Sequence, residues 1–237
     1  MTAETTRYHH EPIRESGSFI YWAAMWIFAR LIRLLYRYEL TRLGDFPSSG
    51  PTIIAANHLH LLDPFAVIPV TRRRLIGVTA HKWRKNPWSN WVLKITNAIP
   101  IRRGEVDRQA LRSCLDVLNE GGTIGLAPEG TRSKTGGLQE GKPGVAYLAT
   151  RTNATIVPIA IWGVDRLRDW LRLKRPTCHV IVGHPFQLPS SSQKPSKEEL
   201  QEMTDHIMIQ IGRLLPEHHR GVYAERIAAL EAEEETN

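Results

Sequence analysis

The sequence predicts an α/β fold: a mixed, mostly parallel sheet flanked by helices, with an N-terminal amphipathic helical element suited to a membrane surface. Three observations carry this. Short apolar runs at 52–56, 75–79, 123–126, 155–162 and 177–183 alternate with stretches of helical periodicity. The 237 residues, with ordinary apolar and charged fractions, suffice for one large core. Ahead of the first strand, tryptophans and arginines share one apolar helix. The expected organisation is a membrane-associated helical segment over 1–45, an α/β domain over 46–189, and a C-terminal linker with helices over 190–237.

Charge narrows the partners. A net charge of +7 points to something anionic: lipid headgroups, a phosphorylated substrate or nucleic acid. The two cysteines, Cys114 and Cys178, are too few for a disulfide framework and lack metal-type spacing, which favours a reducing compartment. No internal repeat or low-complexity tract is present.

Residues 1–17 are polar, mixed in charge and expected to be loosely ordered. An apolar, aromatic run follows over 19–29, containing Trp22 and Trp26. It is shorter than the roughly 20 residues a spanning helix needs, and arginines follow it where a signal peptide would carry small residues. On a helix Arg30, Arg33 and Arg37 share a wedge about 60° wide, with Ile27, Phe28, Leu31, Leu34 and Leu35 on the other side. Such a helix can lie in an interface, with arginines toward phosphates and indoles at headgroup depth. The competing reading is a helix packed on its own domain.

Gly44-Asp45 and Pro47-Ser48-Ser49-Gly50-Pro51 mark a boundary before the first strand. That strand runs into Asn57-His58-Leu59-His60-Leu61-Leu62-Asp63-Pro64. Histidine supplies a base and aspartate can fix its tautomer. Positions five apart on a helix diverge by about 140°, so the two side chains meet only if His58 precedes a helix whose first turn holds Asp63. Pro64 favours that first turn. The plainer alternative is a helix-start histidine followed by a capping aspartate.

After 75–79, Lys82, Arg84 and Lys85 interleave with Trp83, Trp88 and Trp91, as a lipid boundary or a nucleic-acid surface would require. Residues 98–104 read as a short strand ending in Arg102 and Arg103, placed to bind a phosphate. A helix over 105–120 stops at Gly121-Gly122. The strand at 123–126 runs into Pro128-Glu129-Gly130-Thr131-Arg132 and a glycine-rich stretch to Gly141, a charged pair on tight backbone that can close on a ligand or simply pair in a loop. A helix over 142–152 precedes the strand at 155–162, whose Pro158 marks an edge or an irregular position. Residues 189–196 form a linker. Ser196 and Glu199 make a capping box for a helix over 197–215, and 224–237 forms a last helix that frays. His58, Arg103 and Glu129 each follow a strand and could converge on one crevice.

Taken together, these blocks resemble the glycerolipid acyltransferase family, to which the bacterial lysophosphatidic acid acyltransferases belong. Asn57-His58-x-x-x-x-Asp63-Pro64, Ile99-Pro100-Ile101-Arg102-Arg103, Pro128-Glu129-Gly130-Thr131-Arg132 and Val157-Pro158-Ile159 resemble its four blocks in order. Lys82 and Lys142-Pro143-Gly144 are also similar. The resemblance implies that His58 is the general base for attack of a glycerol hydroxyl on a fatty-acyl thioester, oriented by Asp63. It implies that Arg103 and the Glu129, Gly130, Thr131, Arg132 block hold the acceptor's phosphate, with Arg102 and Lys82 contributing. The implied acceptor is a lysophospholipid, 1-acylglycerol-3-phosphate by default, or another lysolipid or glycolipid. The donor would be acyl-CoA or acyl carrier protein, with no further cofactor. The implied location is monotopic, on the cytoplasmic face of the inner membrane in contact with anionic lipids, through Trp22, Trp26, Arg30, Arg33 and Arg37.

Rival classes fit less well. His58-x-His60 has ligand-like spacing, but no later cluster completes a metal shell. No Gly-x-Ser-x-Gly elbow marks a serine hydrolase. A non-catalytic basic module for membrane or nucleic acid leaves the ordered His58/Asp63 and Glu129–Arg132 blocks unexplained; no nucleic acid is expected as partner.

Overall fold

The computed structural model describes residues 19–102, 104, 107–189 and 195–236. The expectations for 1–17, for most of the linker and for Arg103 therefore lie outside the described residues. The strands are β1 (Arg37–Arg42), β2 (Thr52–Ala56), β3 (Leu75–Ala80), β4 (Ile99–Ile101), β5 (Thr123–Leu126), β6 (Thr155–Trp162) and β7 (Thr177–Val182). The helices are α1 (Phe19–Leu35), α2 (Asp63–Val67), α3 (Pro87–Ile95), α4 (Arg108–Asn119), α5 (Gly144–Thr152), α6 (Lys197–Arg213) and α7 (Ala224–Thr236).

The strands form one sheet in the order β1-β7-β6-β2-β5-β3-β4. Strands β2 to β6 run parallel, β7 returns antiparallel to β6, and β1 lies parallel to β7 at the edge. This is the mixed, mostly parallel sheet that the alternating pattern predicts. All five residues of β2 are buried, as a strand covered on both faces requires. Its alternation sends Ile53 and Ala55 toward α4, α5 and α6, and Ile54 and Ala56 toward α1 and α2. Segment 195–236 joins the first of these layers, where Ile207, Met208, Ile211, Tyr223 and Ile227 are buried. The Ser196/Glu199 capping box is formed at the start of α6.

Helix α1 does two things at once. Tyr21, Met25 and Ile32 are buried against the domain. The Tyr21 hydroxyl donates to Leu75 O and accepts from Leu75 N–H, and Phe28 packs on Phe65 of α2 at 4.9 Å between ring centroids. Ile20, Ile27, Leu31 and Leu34, on the opposite side, remain exposed. The apolar set read as one face therefore splits: Phe28 packs inward, whereas Ile27, Leu31 and Leu34 face out. Arg37 departs from expectation as well. The helix ends at Leu35, and Arg37 opens β1 paired with Thr177, so it does not belong to the helical basic stripe.

Pro158 sits in β6 between β7 and β2, not at an edge. The position is irregular instead. The β6–β7 ladder covers only Ile159–Trp162, and Ile156 pairs separately with Phe186. The strand opposite bulges over 183–185, beside Pro158, which has no N–H to give, and Gly183 N–H donates back to Pro158 O at 2.9 Å.

Candidate functional site

Because β2, β5, β3 and β4 are parallel neighbours, whatever follows each of them emerges at one edge of the sheet. His58 follows β2, Glu129 follows β5, Lys82 follows β3 and Arg102 follows β4. Adjacent strands are about 4.8 Å apart, so Lys82 starts about 10 Å from the His58 strand and Arg102 about 14 Å.

The chain turns sharply after β2. Asn57 is buried, and its amide both donates to Ile161 O and accepts from Ile161 N–H, fastening the strand end to β6. His58 lies on the turn and Asp63 is the first residue of α2, with Pro64 beside it. That is the placement the five-residue spacing demands. His58 Nδ1 lies 2.9 Å from Asp63 Oδ2, and the side chains are 16% and 4% exposed. The same Oδ2 accepts the His60 N–H at 2.6 Å, so the imidazole nitrogen facing it is the protonated one. Nε2 is thereby left as the acceptor. Asp63 does not act as a cap: the N-cap position is Leu62, without a side-chain bond. Asp63 Oδ1 is buried with no hydrogen-bond partner among the described residues.

Glu129 occupies a different place from the one its sequence block suggests. Its side chain is turned inward and the residue is 1% exposed. Oε1 accepts the His58 N–H at 2.9 Å, and Oε2 accepts from Gln139 N–H and Gln139 Nε2–H. Burial raises its pKa above the usual carboxylate range, and these three donors oppose that rise. A carboxylate so occupied is not a phosphate contact. It holds the histidine turn against the glycine-rich loop, helped by Ser133 N–H, which donates to His58 O at 2.8 Å.

Cations remain at the rim. Lys82, Arg102, Arg132 and Lys142 are exposed, and Thr131 is half-buried. Gly130 has φ of +68°, and a side chain there would press on the Lys142 stem, so the glycine lets that lysine lie across the loop. The Arg102 N–H donates to Asp107, which also caps α4.

Cys178 is buried, and burial followed by the nearby Asp63 charge pushes its thiol up to about 12. It stays a neutral thiol near pH 7 and is unsuited to carry an acyl group. His60, the other half of the ligand-like pair, accepts the Leu62 N–H at 3.3 Å through Nδ1. Among the described residues no group of three or more His, Cys, Asp or Glu is arranged to hold a metal. Sequence reasoning did not single out Gln139, and it gave Asn57 no role beyond its place in the His58 block. A buried asparagine at a strand end is a weak signal, and nothing local marks Gln139 as the partner of a residue ten positions earlier.

Comparison with known proteins gives a family match, similar relatives and a likeness in fold. A family model described as "Acyltransferase" matches residues 37–162. The chloroplastic 1-acyl-sn-glycerol-3-phosphate acyltransferase LPAT1 of Arabidopsis thaliana is 27% identical over 150 residues, 62% of this chain and 40% of that protein. The 1-acyl-sn-glycerol-3-phosphate acyltransferase of Bacillus subtilis is 24% identical over 171 residues, 72% of this chain and 84% of that protein. In fold, the chain is similar to the crystal structure of the 1-acyl-sn-glycerophosphate (LPA) acyltransferase PlsC from Thermotoga maritima. The TM-score is 0.59 at 22% identity, covering 78% of this chain and 75% of that one. The match spans less than half the length of the Arabidopsis relative.

Proposed function

The chain belongs to the acyltransferase family, and from that membership we propose that it moves a fatty-acyl group from an acyl thioester to the free hydroxyl of a lysophospholipid. The proposed acceptor is 1-acylglycerol-3-phosphate and the product phosphatidic acid, as the names of the Arabidopsis and Bacillus relatives suggest. The donor is acyl-CoA or acyl carrier protein, and no other cofactor takes part.

The observation that carries this reading is the His58–Asp63 pair, 2.9 Å apart at the end of a central parallel strand. With Nδ1–H held by Asp63, Nε2 takes the proton of the acceptor hydroxyl as its oxygen attacks the thioester carbonyl. Asp63 steadies the imidazolium that results. Collapse of the tetrahedral intermediate breaks the C–S bond, and the proton passes to the departing thiolate, giving free thiol and ester. No acyl-enzyme is needed. Arg102, Arg103, Arg132, Lys82 and Lys142 supply the charge for the acceptor's phosphate, with Gly130 and Thr131 shaping the loop beneath it. Glu129 acts through backbone, as a positioning residue.

The reaction is placed at a membrane surface, on the cytoplasmic face and without a span. The membrane-surface part of this reading is supported by the exposed Ile20, Ile27, Leu31, Leu34 stripe with Trp22 and Trp26 near Arg30 and Arg33; no described helix is long and apolar enough to cross a membrane. Anionic lipid then meets the basic surface.

The test is thiol release from a long-chain acyl-CoA on vesicles, with products identified by mass spectrometry across a panel of lysolipids. Release is expected only when an acceptor is present. His58→Ala should lower kcat by about 10²–10⁴-fold with an unchanged thermal transition; turnover that survives in this variant removes His58 as base. Arg103→Ala should raise KM about tenfold for phosphate-bearing acceptors and leave phosphate-free ones unaffected.

A further inference from the structure

Between β6 and β7 the chain leaves the sheet and makes a projecting segment, Val164–Arg172, of two short 3-10 helices joined across a kink at Arg166 and closed by Leu173 in left-handed backbone with φ of +57°. Its tip is apolar and unsheltered. Leu171 is 86% exposed and Leu173 is 95% exposed, with Trp170 at 41%. The exposed cations Arg172 and Lys174 alternate with these residues, and Arg175 follows. Leucine at such exposure gains nothing from burial in the domain itself.

The segment is also fastened in place. Trp170 Nε1–H donates to Leu35 O at 2.7 Å. The Arg175 guanidinium donates to Arg33 O and to Tyr36 O. These carbonyls belong to the last turn of α1 and the residue after it, where a helix lacks internal donors and its dipole favours a cation. The Tyr36 hydroxyl donates to Val164 O at 2.7 Å from the other direction. The projection is thus joined to the end of α1 that carries exposed Leu31 and Leu34.

We propose that the Trp170–Leu173 knuckle is a second membrane-inserting element, with Leu171 and Leu173 entering the acyl boundary of an anionic lipid surface while Arg172 and Lys174 engage headgroup phosphates. It rests on the reading that α1 lies on such a surface. Its particular claim is that one helix is not enough: an element about 135 residues distant in sequence makes a second point of attachment and fixes how the domain tilts on the bilayer. Alternating leucine and cation, rather than a flat apolar face, matches a lipid interface better than the surface of another protein.

The experiment uses the full chain and vesicles of phosphatidylcholine with and without phosphatidylglycerol. Sedimentation is measured for wild type, for Leu171→Glu/Leu173→Glu, and for Leu31→Glu/Leu34→Glu in α1. The knuckle variant should lose at least about tenfold in partitioning onto anionic vesicles, with unchanged thermal transition and unchanged turnover of a short-chain, monomeric acceptor. A Leu173→Cys protein labelled with an environment-sensitive dye should shift to the blue on vesicles and be quenched by brominated lipid; Cys114 and Cys178 are buried and do not compete for label. Wild type that fails to sediment sinks the membrane reading itself. Wild type and knuckle variant sedimenting alike, with no quenching at 173, overturns this inference while the α1 reading stands. A knuckle variant whose sedimentation equilibrium mass changes but whose lipid partitioning does not would assign the leucines to a second copy of the chain and likewise overturn it.

Discussion

Glu129 is a carboxylate held by two backbone N–H groups and the Gln139 side-chain amide, three hydrogen bonds that support its ionised form against burial. Its pKa in the folded chain lies above the ordinary value of 4.5. The folded state therefore binds this proton more readily than the unfolded chain, and the associated stability, present below pH 4.5, is lost as pH rises through the folded pKa. Glu129→Gln removes that slope but leaves a side-chain amide that cannot accept at both ends. Its turn should loosen, lowering kcat by about 10–100-fold with KM nearly constant, which steady-state kinetics reads directly. An equal change in KM would return Glu129 to the phosphate site. At this scale the sequence was informative where chemistry is local. His58 and Asp63 are five residues apart, and helix geometry alone states where each must sit. Glu129 is less legible because two of its three donors are backbone groups, one of them 71 residues away, and a backbone donor has no letter in the sequence.

Strand β1 and the 164–173 segment are not marked by periodicity. Helix α1 passes into β1 through Tyr36 alone, without glycine or proline, so helical periodicity runs on and captures Arg37. The 164–173 knuckle, with its mixed leucines and arginines, offers no clean period either. Helices with caps were read well, since Gly121-Gly122 and Ser196/Glu199 state their ends chemically. The short segment before α7 is a further case of hidden connectivity. Leu138 N–H donates to His219 O, Val222 N–H donates to Leu138 O, and Gly141 N–H donates to the Tyr223 hydroxyl. The C-terminal region thus holds the loop that carries Gln139, which in turn holds Glu129. Gly221 makes the approach possible: φ is +54°, and a Cβ there would collide with the Leu138 backbone. Gly221→Ala should destabilise the protein by about 2–4 kcal/mol in urea unfolding and depress turnover even where the protein remains folded. An unchanged urea midpoint would show that the loop tolerates the shift.

For the whole molecule, hydrophobic alternation was sufficient to give the layered fold, because a strand buried on both faces reads as an unbroken apolar run. The strand order was not readable, since it is set by contacts between distant strands. The same burial has a cost at high pH. Burial pushes Cys114 and Cys178 up to about 12 from 9.0, and Tyr36 and Tyr223 up to about 12 from 10.0. Above pH 9 the unfolded chain sheds the cysteine protons first, so stability falls with rising pH by about 1.4 kcal/mol per unit for each group. Thermal transitions should be flat from pH 7 to 8.5 and decline steeply by pH 10.5, and Cys114→Ala should make that decline shallower; a flat alkaline profile would contradict the burial of these groups. The outer edge of the sheet has its own consequence. Strand β1 is paired on one side only, and an open edge is a template on which another chain can add a strand. Here that edge carries Arg37 and Arg42, with Glu39 bridging Arg37 at 3.3 Å and His179 at 3.1 Å. Charge along an edge strand disfavours the addition of another strand there.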